Sequence, residues 1–352
     1  MKTKFIFIAA AAALLMVGCG PKVSDVTKIS GNLGADSAEE VEISIKPIDF
    51  TEKIPVVNGQ FKAEVPKYLA SKAKLKAGNI IGSFVSDGTP LTIKVNEDMT
   101  LNITSKYPDV SVQAKSDAYE KACVNLQLLY QGKMEEAKDD AAKDQVYDAY
   151  ENDVKKLSLD AVKANPDNFV AVAALENLRY QLSNDQLDSV LTTLDTSLAR
   201  VPTVSALAKT VNSRKKTAEG QMFTDFVIQG HRLSDYVGKG KYVLVDFWAS
   251  WCGPCKAELP NIKNVYQKYA GSQFDVLSVA VWDKKEDTIA SAKEQGIVWN
   301  QIIDAQRIPT TLYGIDGIPH IILFGPDGTI LKRDLRGEDI EAEVAKYVKT
   351  VR

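Results

Sequence analysis

Tyr242-Val243-Leu244-Val245-Asp246-Phe247-Trp248-Ala249-Ser250-Trp251-Cys252-Gly253-Pro254-Cys255 decides the fold of the C-terminal part of this 352-residue chain. Residues 242 to 248 are an apolar run interrupted only by Asp246, the pattern of a strand buried on both faces. Two cysteines separated by two residues follow, and from Cys252 to about Ala270 the periodicity is helical. A thiol at the start of a helix faces unpaired backbone N–H groups and the positive end of the dipole, which stabilise its thiolate. The thiolate is the nucleophile of disulfide exchange. A gap of two residues sets the second thiol one turn along, close enough to resolve a mixed disulfide. Cys252 is therefore the expected attacking thiol, and Cys255, deeper in the helix, the resolving one.

Working outward toward the C-terminus, Phe274 to Val281 reads as a second buried strand and Glu286 to Gln295 as a helix. Ile321–Phe324 and Thr329–Lys332 read as strands joined by the turn Gly325-Pro326-Asp327-Gly328. A helix from about Glu338 to Lys349 closes the chain. Strand, helix, strand, helix, hairpin, helix is the order of a thioredoxin core.

The run Asp246 to Lys256 resembles thioredoxin, and Lys256-Ala257-Glu258-Leu259-Pro260 narrows the resemblance to the TlpA/ResA-like extracytoplasmic thiol–disulfide oxidoreductases. The likeness spans about Gly220 to the C-terminus, a little over a third of the chain. It implies that Asp246 moves protons to and from Cys255, burial raising its pKa; an Asp tolerated at a strand end is the plainer alternative. Pro260 resembles the family's kinking proline. Gly317-Ile318-Pro319-His320 resembles its cis-proline loop, with Ile318 and Pro319 as substrate contacts. Trp251, Gly253 and Pro254 would share that contact surface, with Trp248 in the core. Glu258 stands where the family places a modulating Glu, the alternative being a helix-surface Glu. His320 departs from the commoner small polar residue and is either a modulator of the thiols or an edge-exposed histidine without a role.

Toward the N-terminus the pattern changes twice. Between about Thr27 and Ser105 it has period two, as in Val41/Ile43/Ile45, Phe61/Ala63/Val65 and Leu91/Ile93/Val95, with the hairpin signal Asn58-Gly59 between two runs. These strands suggest a small β-sandwich-like domain, and Ser86-Asp87-Gly88-Thr89-Pro90 precedes one of them. From about Lys115 to Lys216 the period is 3.6. Tyr119, Cys123, Leu126 and Tyr130 share a face, Val146 to Ala164 is helical, and Asn165-Pro166-Asp167 precedes a helix over Phe169 to Tyr180. Cys123, on that apolar stripe, reads as a buried structural thiol in preference to a regulatory or metal-binding one.

The N-terminus bears on location. Lys2 and Lys4 precede the apolar run Phe5 to Val17, shorter than the roughly 20 residues that span a bilayer. Met16-Val17-Gly18-Cys19 resembles a bacterial lipobox, which makes Cys19 a lipid attachment point; an ordinary signal peptide or an uncleaved anchor is the alternative. The expected organisation is a multidomain chain: signal peptide 1–18, β-rich domain with tether 19–114, helical connector 115–216, and α/β thioredoxin-like domain 217–352.

Composition narrows the function. A net charge of −3 without a long basic run gives no case for nucleic acid. Cys123, His231 and His320 are all that remains to complete a zinc site around the Cys pair, so no metal is expected. No cofactor is expected beyond a redox-active disulfide. The resemblance implies a lipid-anchored protein on the periplasmic side of the cell envelope. Its implied partners are disulfide-bearing exported proteins, apocytochrome c among them, and a membrane electron donor of the DsbD/CcdA type. Gly253-Pro254 is the dipeptide of reducing thioredoxins and favours a protein-disulfide reductase. Oxidase or isomerase activity uses the same residues. A thiol peroxidase would need a Pro-x-x-x-Thr-like approach to its Cys, which Ala249-Ser250-Trp251-Cys252 does not supply. A lipoprotein binding module with a structural C-x-x-C is the alternative outside enzymology.

Overall fold

The computed structural model describes residues 23–34 and 38–350; the Phe5–Val17 run and Cys19 lie outside the described residues. Contacts group the chain into two units, one running up to Leu178 with Leu194–Val201 added, the other comprising Arg179–Thr193 and Pro202 onward. The 115–216 helical stretch is thus divided between the two units. Helical periodicity marks an apolar face but does not say what covers it.

The first unit begins with eight strands: β1 (Val26–Asn32), β2 (Glu40–Ile45), β3 (Phe50–Pro55), β4 (Gln60–Pro66), β5 (Tyr68–Ala77), β6 (Ile80–Ser86), β7 (Leu91–Val95) and β8 (Leu101–Ser105). They form two four-stranded sheets, ordered β4-β1-β7-β8 and β3-β2-β5-β6. Val41, Ile43 and Ile45 from one sheet and Phe61, Val65, Leu91 and Ile93 from the other close a single core. Alternation explains this, since successive side chains point to opposite faces of a strand. Asn58 and Gly59 do adopt positive φ, and Val57 and Gln60 exchange two backbone bonds across them. The hairpin stops there, because β3 continues in one sheet and β4 in the other. A turn signal specifies the reversal of the chain but not the partners of the flanking strands.

Helices α1 (Val112–Glu136), α2 (Asp140–Ala164) and α3 (Phe169–Gln181) follow. Tyr119 and Tyr130 are buried on the predicted face of α1, whereas Cys123 is only half-buried, with Asn177 Nδ2 at 3.9 Å from its sulfur. Asp87 joins strands to helix. One of its oxygens accepts from Thr89 N and Oγ1, and the other from Ser111 Oγ and Gln113 N at the start of α1.

The second unit carries α4 (Asn184–Thr192) and α5 (Pro202–Lys216), then two short paired strands, β9 (Val227–Ile228) and β10 (His231–Arg232). Its sheet contains β11 (Tyr242–Trp248), β12 (Phe274–Ala280), β13 (Asn300–Ile302), β14 (His320–Phe324) and β15 (Ile330–Lys332), ordered β13-β12-β11-β14-β15. β11 and β12 are parallel, and β14 lies antiparallel to β11. The interspersed helices are α6 (Gly253–Tyr269), α7 (Lys285–Glu294), α8 (Ile308–Tyr313) and α9 (Glu338–Val344). Leu244 packs with Leu259 and Ile262 of α6, while Val243, Val245 and Phe247 pack with Tyr313 on the opposite face. The central strand is therefore buried on both sides, as its unbroken apolar run requires. Gly328 closes the β14–β15 turn at φ +95, where a Cβ would meet the Phe223 ring at 2.5 Å. α9 ends earlier than its pattern suggests, the chain tightening into i→i−3 bonds at Lys346 and Tyr347.

Asp87→Ala would remove the shared acceptor of four buried donors, leaving the Thr89 and Gln113 amides unpaired, so we expect a loss of about 3 kcal/mol, read as a lowered urea midpoint by circular dichroism.

Candidate active site

The site lies at the carboxyl end of β11, where Ala249 to Trp251 lead into α6. Cys252 is the N-cap residue of that helix, and its amide donates to Ala249 O at 3.1 Å. Cys252 and Cys255 form a disulfide with Cα atoms 5.2 Å apart, and the Cys255 amide donates to Cys252 Sγ at 3.1 Å. The sulfurs are largely covered, Cys252 being 3% exposed, yet Trp251, Gly253 and Pro254 around them stand open. Pro260 lies inside α6, where it lacks an N–H for the helix ladder.

Ile318–Pro319 is a cis peptide, and the Ile318 carbonyl oxygen lies 3.8 Å from Cys252 Sγ. The structure thus brings Ile318 and Pro319 to the reactive pair, with Pro319 buried and Ile318 half-buried. Arg336 donates to the Pro319 carbonyl. One residue on, Gly337 N donates to the Glu258 carboxylate, which also accepts from Asn261. Glu258 is accordingly more than a helix-surface charge, since it ties α6 to the segment that holds the proline loop. His320 is not edge-exposed. Its side chain is mostly buried, with Nδ1 3.2 Å from Asp334 and Nε2 3.3 Å from an Arg333 nitrogen. Burial holds its pKa below the ordinary value, the Asp334 bond opposing it. The ring's polar contacts are thus to the 333–334 segment, a role that its place after Pro319 does not reveal.

Asp246 is 2% exposed on the face of β11 shared with Leu244 and Trp248, the face covered by α6. Burial pushes its pKa up to about 7, partly opposed by a Ser278 hydroxyl at 3.4 Å. Its other oxygen has no hydrogen-bond partner among the described residues. Trp248 is fully buried beside Cys252 and Cys255.

Asp283 is a residue that sequence reasoning missed. It accepts from Ser250 N at 2.7 Å, Ser250 Oγ at 2.9 Å and Thr288 Oγ1 at 2.7 Å, and so holds the approach to Cys252. Next to it, the Trp282 carbonyl accepts from Trp251 Nε1 at 3.0 Å. The available signal was an acid directly after a buried parallel strand, since α/β sites gather at the carboxyl ends of strands. Arg333 and Arg336 carried no signal of that kind. Among the described residues no group of three or more His, Cys, Asp or Glu is placed to hold a metal ion.

A disulfide at a helix N-terminus, beside a cis-proline and over a buried acid, defines a thioredoxin-fold redox domain. Residues 216–333 match the AhpC/TSA family. The chain is 28% identical to the thiol-disulfide oxidoreductase ResA of Geobacillus thermodenitrificans over 144 residues, 41% of this chain and 81% of that protein. ResA of Bacillus subtilis is 28% identical over 40% of this chain and 79% of its own length. Among solved structures, the thioredoxin domain of a Bacteroides vulgatus thiol-disulfide oxidoreductase is 33% identical, covering 38% of this chain and 99% of that domain, with a TM-score of 0.34. Residues 216–333 thus form a thioredoxin-like domain similar to those of the TlpA/ResA-like thiol–disulfide oxidoreductases, and the chain is a thiol–disulfide oxidoreductase.

Two outcomes follow from the geometry. Folded Asp246 keeps its proton to about pH 7, whereas the unfolded chain loses it near pH 4. Folding then takes up a proton between those values, so stability falls as pH rises from about 4 to 7 and levels off above. Asp246→Asn should match the parent near pH 4 and exceed it by up to about 4 kcal/mol at pH 8, measured by denaturant titration at the two pH values. Asp283→Ala frees the Ser250 loop, and we expect about a tenfold slower disulfide exchange, checked by stopped-flow fluorescence.

Proposed function

We propose that the protein is a lipid-tethered, extracytoplasmic reductase of disulfides in exported proteins. The observation that carries this reading is the Cys255 amide bonded to Cys252 Sγ at the start of α6. In the dithiol state the same N–H and the helix dipole stabilise a thiolate at Cys252. That thiolate attacks one sulfur of a substrate disulfide, forming a mixed disulfide and expelling the other sulfur as a thiolate. Asp246 accepts the proton of Cys255, whose sulfur then attacks Cys252 Sγ and releases the second substrate sulfur. Two electrons pass to the substrate and the Cys252–Cys255 disulfide is formed. A membrane dithiol donor of the DsbD/CcdA type returns two electrons to it.

Trp251, Gly253, Pro254, Ile318 and Pro319 form the contact surface for the substrate segment, and Glu258 and His320 act on the site through the 333–337 segment. No cofactor other than the cysteine pair takes part. Gly253-Pro254 supports the reducing direction, and the Met16-Val17-Gly18-Cys19 run supports a lipid at Cys19 and a place on the periplasmic side of the envelope. Substrates of this kind include apocytochrome c and other exported proteins with wrongly formed disulfides.

The test is the equilibrium potential of the Cys252–Cys255 couple, followed by Trp fluorescence in dithiothreitol or glutathione buffers with Cys252→Ser as the silent control. A value near the roughly −270 mV of thioredoxin is expected, and one near the roughly −120 mV of DsbA would replace the reductase with an oxidase. In cells fed a radiolabelled fatty acid, the parent protein should carry label and Cys19→Ser should not; equal labelling would remove the anchor from the proposal.

A further inference from the structure

A cavity of ≈ 630 Å³ has Ile318, Pro319 and His320 along one wall. Because the Ile318 carbonyl is 3.8 Å from Cys252 Sγ, the cavity opens one residue from the reacting sulfur. Its other walls include Tyr180 at the end of α3 and Arg214 on α5, both outside the thioredoxin core. Arg214 is fixed there, donating through Nε to Gly314 O at 2.8 Å and through Nη2 to Asp316 at 3.0 Å. Tyr180 is 73% exposed at the edge.

The carboxylates around this cavity are already engaged. Asp316 pairs with Arg214, Glu219 with Lys332, and Asp334 with Arg336. Arg333 pairs with none of them within 4 Å; its guanidinium donates to Thr217 O, Thr217 Oγ1 and Tyr313 O and faces His320. Burial and the nearby Arg214 push Arg333 down to about 10, with the more distant Asp334 and Glu219 opposing. With Lys332 neutralising Glu219 from outside the lining, Arg333 is the lining cation that has no carboxylate within 4 Å of its guanidinium, and it sits in a partly desolvated place. An incoming carboxylate gains there more than it would at an open surface.

We propose that this cavity is a specificity subsite that receives an acidic side chain adjacent to the substrate's cysteine, while the substrate backbone follows Ile318 and Pro319. The subsite rests on the redox reading above and adds a preference that the shared core does not carry. Arg333 supplies the field, Arg214 neutralises Asp316 on the adjoining wall, and Tyr180 borders the entrance. The partner class is a polypeptide with Asp or Glu beside its reactive cysteine.

The experiment uses the reduced full chain and short disulfide peptides that differ only in Glu, Gln or Lys on one side of the cysteine, one set for each side. Rates are followed by Trp fluorescence and divided by the same protein's rate with hydroxyethyl disulfide, a small neutral substrate. In one set the order Glu, Gln, Lys is expected, with about tenfold between first and last at low salt, shrinking at 0.5 M salt. Arg214→Gln should bring the ratio toward unity, and so should Tyr180→Asp, an exposed change that avoids the risk to folding. Equal rates for all peptides, a Lys preference, or a ratio untouched by both variants would overturn the subsite while leaving the redox reading standing. Failure to reduce any peptide or hydroxyethyl disulfide would instead overturn the redox reading on which the subsite rests.

Discussion

The junction of β11 with α6 is the constraint on which the catalytic unit depends. A strand buried on both faces ends, and a helix begins within a few residues, so the helix's first amides lie beside a cysteine sulfur. Those amides have no partner within the helix, and the sulfur takes one of them. The arrangement works only if the strand end is immobile, and the packing of Val243, Val245 and Phe247 on one side and Leu244 and Trp248 on the other secures that.

Three other segments complete the site. Residues 281–283 follow β12 and hold Ser250 and Trp251 from one side. The loop before β14 supplies Ile318 beside Cys252. The segment after β15 joins them, since Arg336 binds the Pro319 carbonyl and Gly337 binds Glu258 on α6. Glu258 and His320 thereby share one structural task, each tying a part of the site to residues 333–337. Asp246 lies beneath this assembly, where desolvation keeps its acidity close to neutral pH.

The helices before the thioredoxin core are part of its unit. Arg214 on α5 reaches Gly314 and Asp316, Thr217 receives Arg333, and Asn184 on α4 donates to Val211 O on α5. The stretch that composition marks only as charged and helical therefore shapes the ground next to the proline loop. In the other unit, a buried Asp87 organises the start of α1 in a comparable way, one carboxylate satisfying donors from a strand-connecting turn and from a helix end.

What could be read from residues alone was whatever depends on local spacing. Period two marked β2, β4 and β7. The unbroken run 242–248 marked the central strand, and the Cys-x-x-Cys after it marked the redox pair, because helix geometry alone sets those two sulfurs together. The proline loop was legible through its resemblance to a known motif, not through any spacing. Pairing was not legible: Asn58-Gly59 specified a reversal while the strands beside it joined different sheets. The role of His320 and the importance of Asp283, Arg333 and Arg336 were also hidden. Each depends on partners many residues away, Asp283 on Ser250 and Arg336 on Pro319, and an isolated charge in a sequence has no direction. Tertiary structure alone decides which carboxylate meets which amide and which arginine side chain has no carboxylate within 4 Å, because those outcomes follow from packing of segments that share no local pattern.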